Sequence, residues 1–348
     1  IAFGVWDHIK NWGDHGAENW ELEWVGFLPG KRESRRYVGD YILSQRDVEH
    51  PSAFDDTVAY GGWQIDNHLP GGFFMNAQDG GHLQKRRLSE PYSIPYRCLY
   101  SVNVDNLMFA GRNISCTHIG ISTTRVMGTV AVLGQAAGTG AAVAAAHGVS
   151  PRQAGRDYIR EIQAALMEDD CFLPHFRREI SPLAKAARLS CDYGDCSNLI
   201  NGIDRRIWGM DNGYFGKTNM AIPYTFQKPE QIAGFRLVAD SDLDREFVEG
   251  NPDGLNTSSV LFYPASHNNT TFGFPGCLLK SFRVEALGED GTWRTVYETD
   301  SNRQRLIRRR IDQTALAVRL IPLSTYQSEK KQEDYGSSSV HLFAFEVF

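Results

Sequence analysis

Two histidines, His68 and His118, lie within polar, glycine-bearing stretches, and Arg125 follows His118 by seven residues. An imidazole can take a proton from a substrate hydroxyl or amine near neutral pH. A fixed guanidinium beside it can steady the negative charge that such a reaction develops. For any one of ten histidines a structural role is the more frequent, so the surroundings decide. Residues 106–118 run from apolar Leu107, Met108 and Phe109 through Gly111, Arg112 and Asn113 to His118. Arg125, Val126, Met127, Gly128 and Thr129 follow, and then a run to residue 146 built almost entirely from Ala, Gly, Val and Thr.

The elements that must position these groups can be read from the same stretch. A short apolar strand is expected to run into Gly111, a polar loop to carry His118, and a helix to begin near Gly128 or Thr129 and end at His147. Gly148 supplies the stop, and Ser150 with Pro151 opens the next helix, expected over about 151–168. Small side chains let another backbone or a flat cofactor come close. The helix's first turn offers unpaired N–H groups to a phosphate or another anionic group. The alternative for such a helix is plain burial in tight packing.

Four blocks together resemble the FAD-dependent oxidoreductases of the broad glutathione-reductase-like group, specifically the C-terminal, FAD-contacting part. They are residues 28–41, residues 60–68 (Tyr-Gly-Gly-Trp-Gln-Ile-Asp-Asn-His), residues 92–97 and residues 106–146. The resemblance covers about the first half of the chain. It implies FAD as cofactor, contacted by Gly111, Arg112, Asn113, Val126, Met127, Gly128 and Thr129. It implies His118, with His68 as second candidate, as proton acceptor while hydride leaves the substrate carbon, and Arg125 as the charge beside the reduced ring. Arg36 and Trp63 are the substrate-contact candidates. The rest of the basic cluster, Lys31, Arg32 and Arg35, is expected in weak surface or interdomain ion pairs.

Two departures matter. Many relatives carry Gly-Asp where this chain has Gly111-Arg112, so a ribityl contact cannot be assigned to a carboxylate, and Arg112 is instead a candidate to face a phosphate. No Gly-x-Gly-x-x-Gly turn for the ADP half of FAD occurs anywhere in the sequence. The chain opens at Ile1 in a Trp-rich segment (Trp6, Trp12, Trp20, Trp24), which either covers the substrate cavity or is the exposed stump of a divided domain. The expectation is a fragment whose nucleotide-binding half lies elsewhere, in cis or in trans. By itself it would bind FAD weakly or not at all.

A net charge of −6 offers nothing to attract nucleic acid or an anionic membrane, and no signal peptide or membrane-spanning run is expected. With 42% hydrophobic and 22% charged residues the composition is that of a globular chain of two domains. The run from Arg305 to Arg310 reads as a strand with a solvated edge. Six scattered cysteines hold no Cys-x-x-Cys pair, and no metal site is expected. Cys191 and Cys196 flank a Tyr-Gly-Asp turn, either as a disulfide or as two thiols. Compartment and oligomeric state stay open.

After Pro174 helical periodicity gives way to a connector with Ser181-Pro182 and an Ala-rich piece at 184–188. Alternating strands follow, among them residues 232–238, 281–286, 293–297, 315–321 and 341–348. They predict a β-sandwich, and residues 198–215 with the strand after Gln227 resemble discoidin-like, galactose-binding jelly rolls. Trp208, Asp211, Asn212 and Tyr214 either form a sugar-binding platform or pack the jelly roll against the flavin half, the second being favoured.

The expected fold class is thus α+β and multidomain. It comprises a substrate or cap segment over 1–100, the C-terminal part of an FAD-binding α/β domain over 101–170, a connector over 171–190 and the sandwich over 191–348. The leading reading is the catalytic C-terminal portion of an FAD-dependent oxidoreductase acting on a hydroxyl or amine carbon of a sugar or glycan-derived substrate. A non-catalytic carbohydrate-binding protein on a degraded flavin fold comes second. A polysaccharide lyase or hydrolase comes last, because no paired-carboxylate or Tyr-His motif supports it.

Overall fold

A computed structural model describes residues 1–26, 33, 35–51, 53–68, 83–207, 209–242, 274–326 and 338–348. Lys31, Arg32 and Trp208 therefore lie outside the described residues. In chain order the elements are helices α1 (Ala2–Asp7) and α2 (Gln45–Glu49), then strands β1 (Thr57–Gly61), β2 (Ile65–His68), β3 (Leu83–Arg86) and β4 (Tyr92–Pro95). Helices α3 (His118–Thr124), α4 (Met127–His147), α5 (Pro151–Asp157), α6 (Ile159–Glu168) and α7 (Pro182–Ala186) follow. The remainder is β5 (Arg188–Leu189), β6 (Tyr214–Lys217), β7 (Ile222–Ala239), β8 (Leu279–Leu287), β9 (Trp293–Thr299), β10 (Leu306–Thr325) and β11 (Ser339–Val347).

In the first half, β1 pairs with β4 and β2 with β3, both antiparallel. Their shared core runs from Leu43 through Ile94, Leu99 and Ile114 to Leu133, Ile162 and Leu173. One apolar core therefore spans residues on both sides of position 100. Helix α4 buries Leu133, Ala136, Ala137, Gly140, Val143 and Ala144, the spacing of one helical face. A Cβ built on Gly140 would stand 2.5 Å from the Tyr96 ring, and one on Gly155 2.6 Å from it, so the ring is clasped between two glycines. Gly148 ends α4 in the left-handed region at φ 63°, as its residue type allows.

Three local details differ from the sequence reading. Met108 forms only an isolated bridge with Tyr100, because the segment before Gly111 pairs for one residue and then turns. His118 sits at the start of a separate short helix, α3, because the Thr117 hydroxyl accepts from the Gly120 N–H and caps it. The expected helix over 151–168 is two helices, broken where Tyr158 leaves helical geometry at φ −128°.

Helix α4 is the one described helix long and apolar enough to cross a membrane by length and composition. Its buried face belongs to the first-half core. The opening segment packs little of itself away. Phe3, Trp12, Trp20 and Trp24 are all exposed, and the Lys10 ammonium closes the loop on the carbonyls of Ala17, Glu18 and Trp20.

The second half is a seven-stranded antiparallel sheet in the order β6-β11-β7-β10-β8-β9, with β5 added to β7. Strands β7 and β10 are 18 and 20 residues long, and their ladder shifts register between Arg310 and Gln313 and again between Ala315 and Ala317. Such bulges bend a ladder, and the sheet curls around one apolar core containing Tyr224, Phe235, Phe282, Val318 and Phe345. Ile180 and Ala184 of the expected connector belong to this core. Arg308, Arg309 and Arg310 lie exposed on the stretch of β10 that pairs with β7 alone.

Strand β11 is buried at eight consecutive positions, Val340 to Val347, rather than at alternate ones. One face meets the sandwich core, and on the other Phe343 and Ala344 cluster with Val238 and Leu306. Polar contacts join the halves here. Arg236 on β7 reaches Asp204 at 2.8 Å and the carbonyls of Met167 and Glu168, at the end of α6, at 3.3 Å. Arg178 pairs with Glu346 at 2.5 Å, and Arg305 with Asp170 at 2.7 Å.

Candidate functional site

The site is built where α3 is tied to β2. Thr123 in α3 donates its hydroxyl to the Trp63 carbonyl and meets the Tyr92 hydroxyl at 3.1 Å. At the helix's end, Arg125 donates through Nη2 to the Asp66 carbonyl at 2.9 Å. The parallel bridge between Leu43 and Cys116, with the Thr117 N–H donating to the Leu43 carbonyl, sets the approach of the chain to α3. A Cβ on Gly120 would stand 2.8 Å from the Leu43 oxygen, so only glycine admits this close passage.

These ties place the imidazole of His118 against Asn67 of β2, Nε2 to Oδ1 at 2.9 Å. Its Nδ1 lies 2.7 Å from Oε2 of Glu33, and the same carboxylate is ion-paired with Arg36. The His118 side chain is 46% exposed, so a solute can reach the ring, whereas Asn67 is buried. Arg36 is thus engaged by Glu33. His68 closes β2 on the same hairpin, and Trp63 opens the turn before it.

The helix α4 begins immediately beyond. Val126 is its N-cap residue, no side chain caps it, Met127 is 87% exposed and a Cβ on Gly128 would meet nothing within 4 Å. An uncapped, open helix start holds partial positive charge. Beside Arg125, Oδ1 of Asp66 is buried without a hydrogen-bond partner, an acceptor left for a hydroxyl or N–H of a bound group. Open glycine, donor-rich helix start and orphaned acceptor fit a flat, partly anionic ring system such as a flavin. Gly111 and Asn113 lie on the preceding turn, where the Ile114 N–H donates to the Gly111 carbonyl and the Asn113 carbonyl accepts from Tyr37. Arg112 is exposed at its tip.

Sequence reasoning missed Glu33 and Asn67. Asn67 lay inside the quoted Tyr60 to His68 block, so the signal for it was present. Glu33 was submerged among arginines, and nothing in its spacing points to a residue 85 positions later.

Around this site burial raises the thiol of Cys116 to about 11, against a smaller opposing effect of Thr124 and Arg36. All six cysteines, Cys191 and Cys196 included, are unpaired thiols. Among the described residues no group of three or more His, Cys, Asp or Glu side chains could hold a metal ion.

Of the expected sugar platform in the sandwich, Tyr214 is buried with its hydroxyl on the Tyr193 carbonyl. The Asn212 amide is engaged by the carbonyls of Arg205 and Met210, and Asp211 by His341 and Arg206. The exposed aromatic there is Phe215, 51% exposed and stacked on His341 at 4.2 Å between ring centres. His341 is itself held by Asp240 at 2.8 Å and Asp211 at 3.1 Å. The cleft where the halves meet, lined by residues such as Phe172, Arg178 and Asp204, is about 30 Å³, room for a few waters.

No curated protein matches the chain. Among solved structures, the family 32 carbohydrate-binding module of EndoD from Streptococcus pneumoniae is 13% identical, with 48% of this chain and 99% of that one covered at a TM-score of 0.32. The lectin domain of lectinolysin, complexed with Lewis B antigen, is 14% identical over 49% and 97% at 0.31. Chitosan-binding module 1 from a Paenibacillus chitosanase/glucanase is 12% identical over 50% and 99% at 0.29. Strand order and register, rather than these low superpositions, establish the sandwich. The family described as FAD dependent oxidoreductase matches residues 1–166, the span that contains β2, α3 and the whole of α4. Residues 1–166 of this chain thus match the family described as FAD dependent oxidoreductase, and an antiparallel β-sandwich domain follows them.

Proposed function

We propose that this chain is the substrate-facing part of a flavin oxidoreductase that oxidises a hydroxyl- or amine-bearing carbon of a sugar or glycan-derived substrate. The observation that carries the reading is the placement of His118, a solvent-reachable imidazole one short helix away from the uncapped start of α4. Val126, Met127, Gly128 and Thr129 would hold the anionic edge of FAD. Arg125 supplies a fixed charge beside it, and Gly111, Arg112 and Asn113 approach from the preceding turn. Bound FAD supplies the acceptor for the hydride. His118 receives the proton of the substrate hydroxyl or amine, and His68 and Trp63 border the same hairpin. The dinucleotide fingerprint absent from this sequence comes from other residues, in cis or in trans. The sugar assignment is supported by the sandwich, whose exposed Phe215 offers a flat face of the kind on which a pyranose stacks.

The test is a visible spectrum of this chain together with polypeptide that supplies a Gly-x-Gly-x-x-Gly segment. Bands near ~450 and ~375 nm, as for a protein-bound oxidised flavin, support the reading. Bleaching of those bands by an added sugar, lost in His118→Asn, supports the substrate class and the role of the imidazole. A colourless complex overturns it in favour of a carbohydrate-binding protein without flavin.

A further inference from the structure

Four side chains stand in a row beside α3: the Arg36 guanidinium, the Glu33 carboxylate, the His118 imidazole and the Asn67 amide. An ionised carboxylate only accepts hydrogen bonds, so the 2.7 Å contact to Oε2 of Glu33 assigns the hydrogen to Nδ1 of His118. Nε2 is then the nitrogen left to receive a proton. It faces the amide of Asn67 at 2.9 Å. An amide can turn over, its oxygen accepting when Nε2 carries hydrogen and its NH2 donating when Nε2 is bare. Asn67 therefore satisfies the ring in both protonation states. Arg36 offsets the carboxylate's charge and anchors it from the far side.

We propose that Glu33 is the positioning residue of this site, fixing the Nδ1–H form of His118, and that Asn67 is the amide that follows the proton at Nε2. The proposal rests on the reading of His118 as proton acceptor. The substrate displaces the Asn67 amide from the single in-plane lone pair of Nε2 and gives that nitrogen its O–H or N–H proton, the carbon-bound hydrogen would leave with its electron pair to FAD, and the new C=O or C=N bond forms from the electrons of the broken O–H or N–H bond. The carboxylate keeps its charge throughout and balances the imidazolium, which it never deprotonates.

Imidazole nitrogen NMR on this chain labelled with ¹⁵N-histidine tests the positioning role without any flavin. The His118 signals are identified by their loss in His118→Asn. The expected result for the uncharged ring is hydrogen on Nδ1 and a bare Nε2, with Glu33→Ala moving the population towards the opposite form while the circular dichroism spectrum stays unchanged. Hydrogen on Nε2 in the unaltered chain, or no response to Glu33→Ala, overturns the proposal. In the flavin-loaded complex, Glu33→Ala is expected to lower kcat about 10²- to 10⁴-fold with little change in KM, and Glu33→Asp to restore part of it. Equal kcat in Glu33→Ala overturns the positioning role even if the tautomer is as stated. Unchanged turnover in His118→Asn sinks instead the underlying reading of His118, a result the tautomer measurement cannot produce.

Discussion

Arg236 and Asp204 meet at 2.8 Å with side chains 1% and 8% exposed, an ion pair closed off between the curled sheet and the end of α6. The same guanidinium donates to the carbonyls of Met167 and Glu168, where a helix end leaves acceptors without intrahelical partners. Charge and helix end thus satisfy each other across the junction of the two halves.

Breaking that pair from one side leaves Asp204 buried with the more distant Arg178, at 3.5 Å, as its remaining cation. Arg236→Met is expected to lower stability by about 2–3 kcal/mol, less than the range for a buried charge left wholly uncompensated. Urea unfolding followed by circular dichroism measures it, and a loss below 1 kcal/mol would show that water reaches the junction.

Helix α4 gives opposite signs for one substitution. Gly140→Ala drives a methyl to 2.5 Å from the Tyr96 ring and is expected to cost about 1–3 kcal/mol. Gly134→Ala and Gly138→Ala meet nothing within 4 Å and are expected to gain about 0.5–1 kcal/mol from helix propensity and a less flexible unfolded chain. Thermal melts of the three variants decide it.

Burial would raise the carboxyl of Asp240, but the His341 hydrogen bond, the Asp242 N–H and Arg206 outweigh it and hold the group below its usual range. A carboxyl depressed in the folded state contributes stability above its unfolded value, near ~4, and loses it as pH falls through the folded one. Melting temperatures between about pH 5 and 2 should therefore fall, and Asp240→Asn should flatten the fall. Parallel curves for the two proteins would assign the acid loss elsewhere.

Burial raises Cys116 and Cys171 to about 11 and Cys196 to about 12. At pH 8 these thiols are expected to react with an aromatic disulfide reagent at least ~10-fold more slowly than in denaturant, since the thiolate is the reactive form. Six thiols should titrate in guanidinium without reductant. A count of four would mean that one pair is oxidised.

In the flavin-loaded complex, Arg125→Ala is expected to slow flavin reduction about 10-fold by removing the charge beside the start of α4. Stopped-flow absorbance at the flavin band reads it directly. An unchanged rate would limit Arg125 to its hydrogen bond on the Asp66 carbonyl.

The sequence by itself determined what is local. The extent of α4, its stop at Gly148 and the Ser150-Pro151 start of the next helix follow from residue types within one or two turns, as do the strands of the second half. Local chemistry also carried the flavin-family resemblance, because its four blocks are contiguous. What the tertiary structure alone decided are contacts between residues far apart in the chain. Glu33 meets His118 and Asn67 meets it from the other side only after Thr123 and Arg125 have tied α3 to β2. Tyr214 faces inward and Phe215 outward because the edge strand β6 has one buried face, a parity set by its pairing with β11. The unbroken burial of β11 and the charges at Arg178, Asp204 and Arg236 likewise make sense only with α6 laid against the sheet. No periodicity along one strand reports what covers its second face.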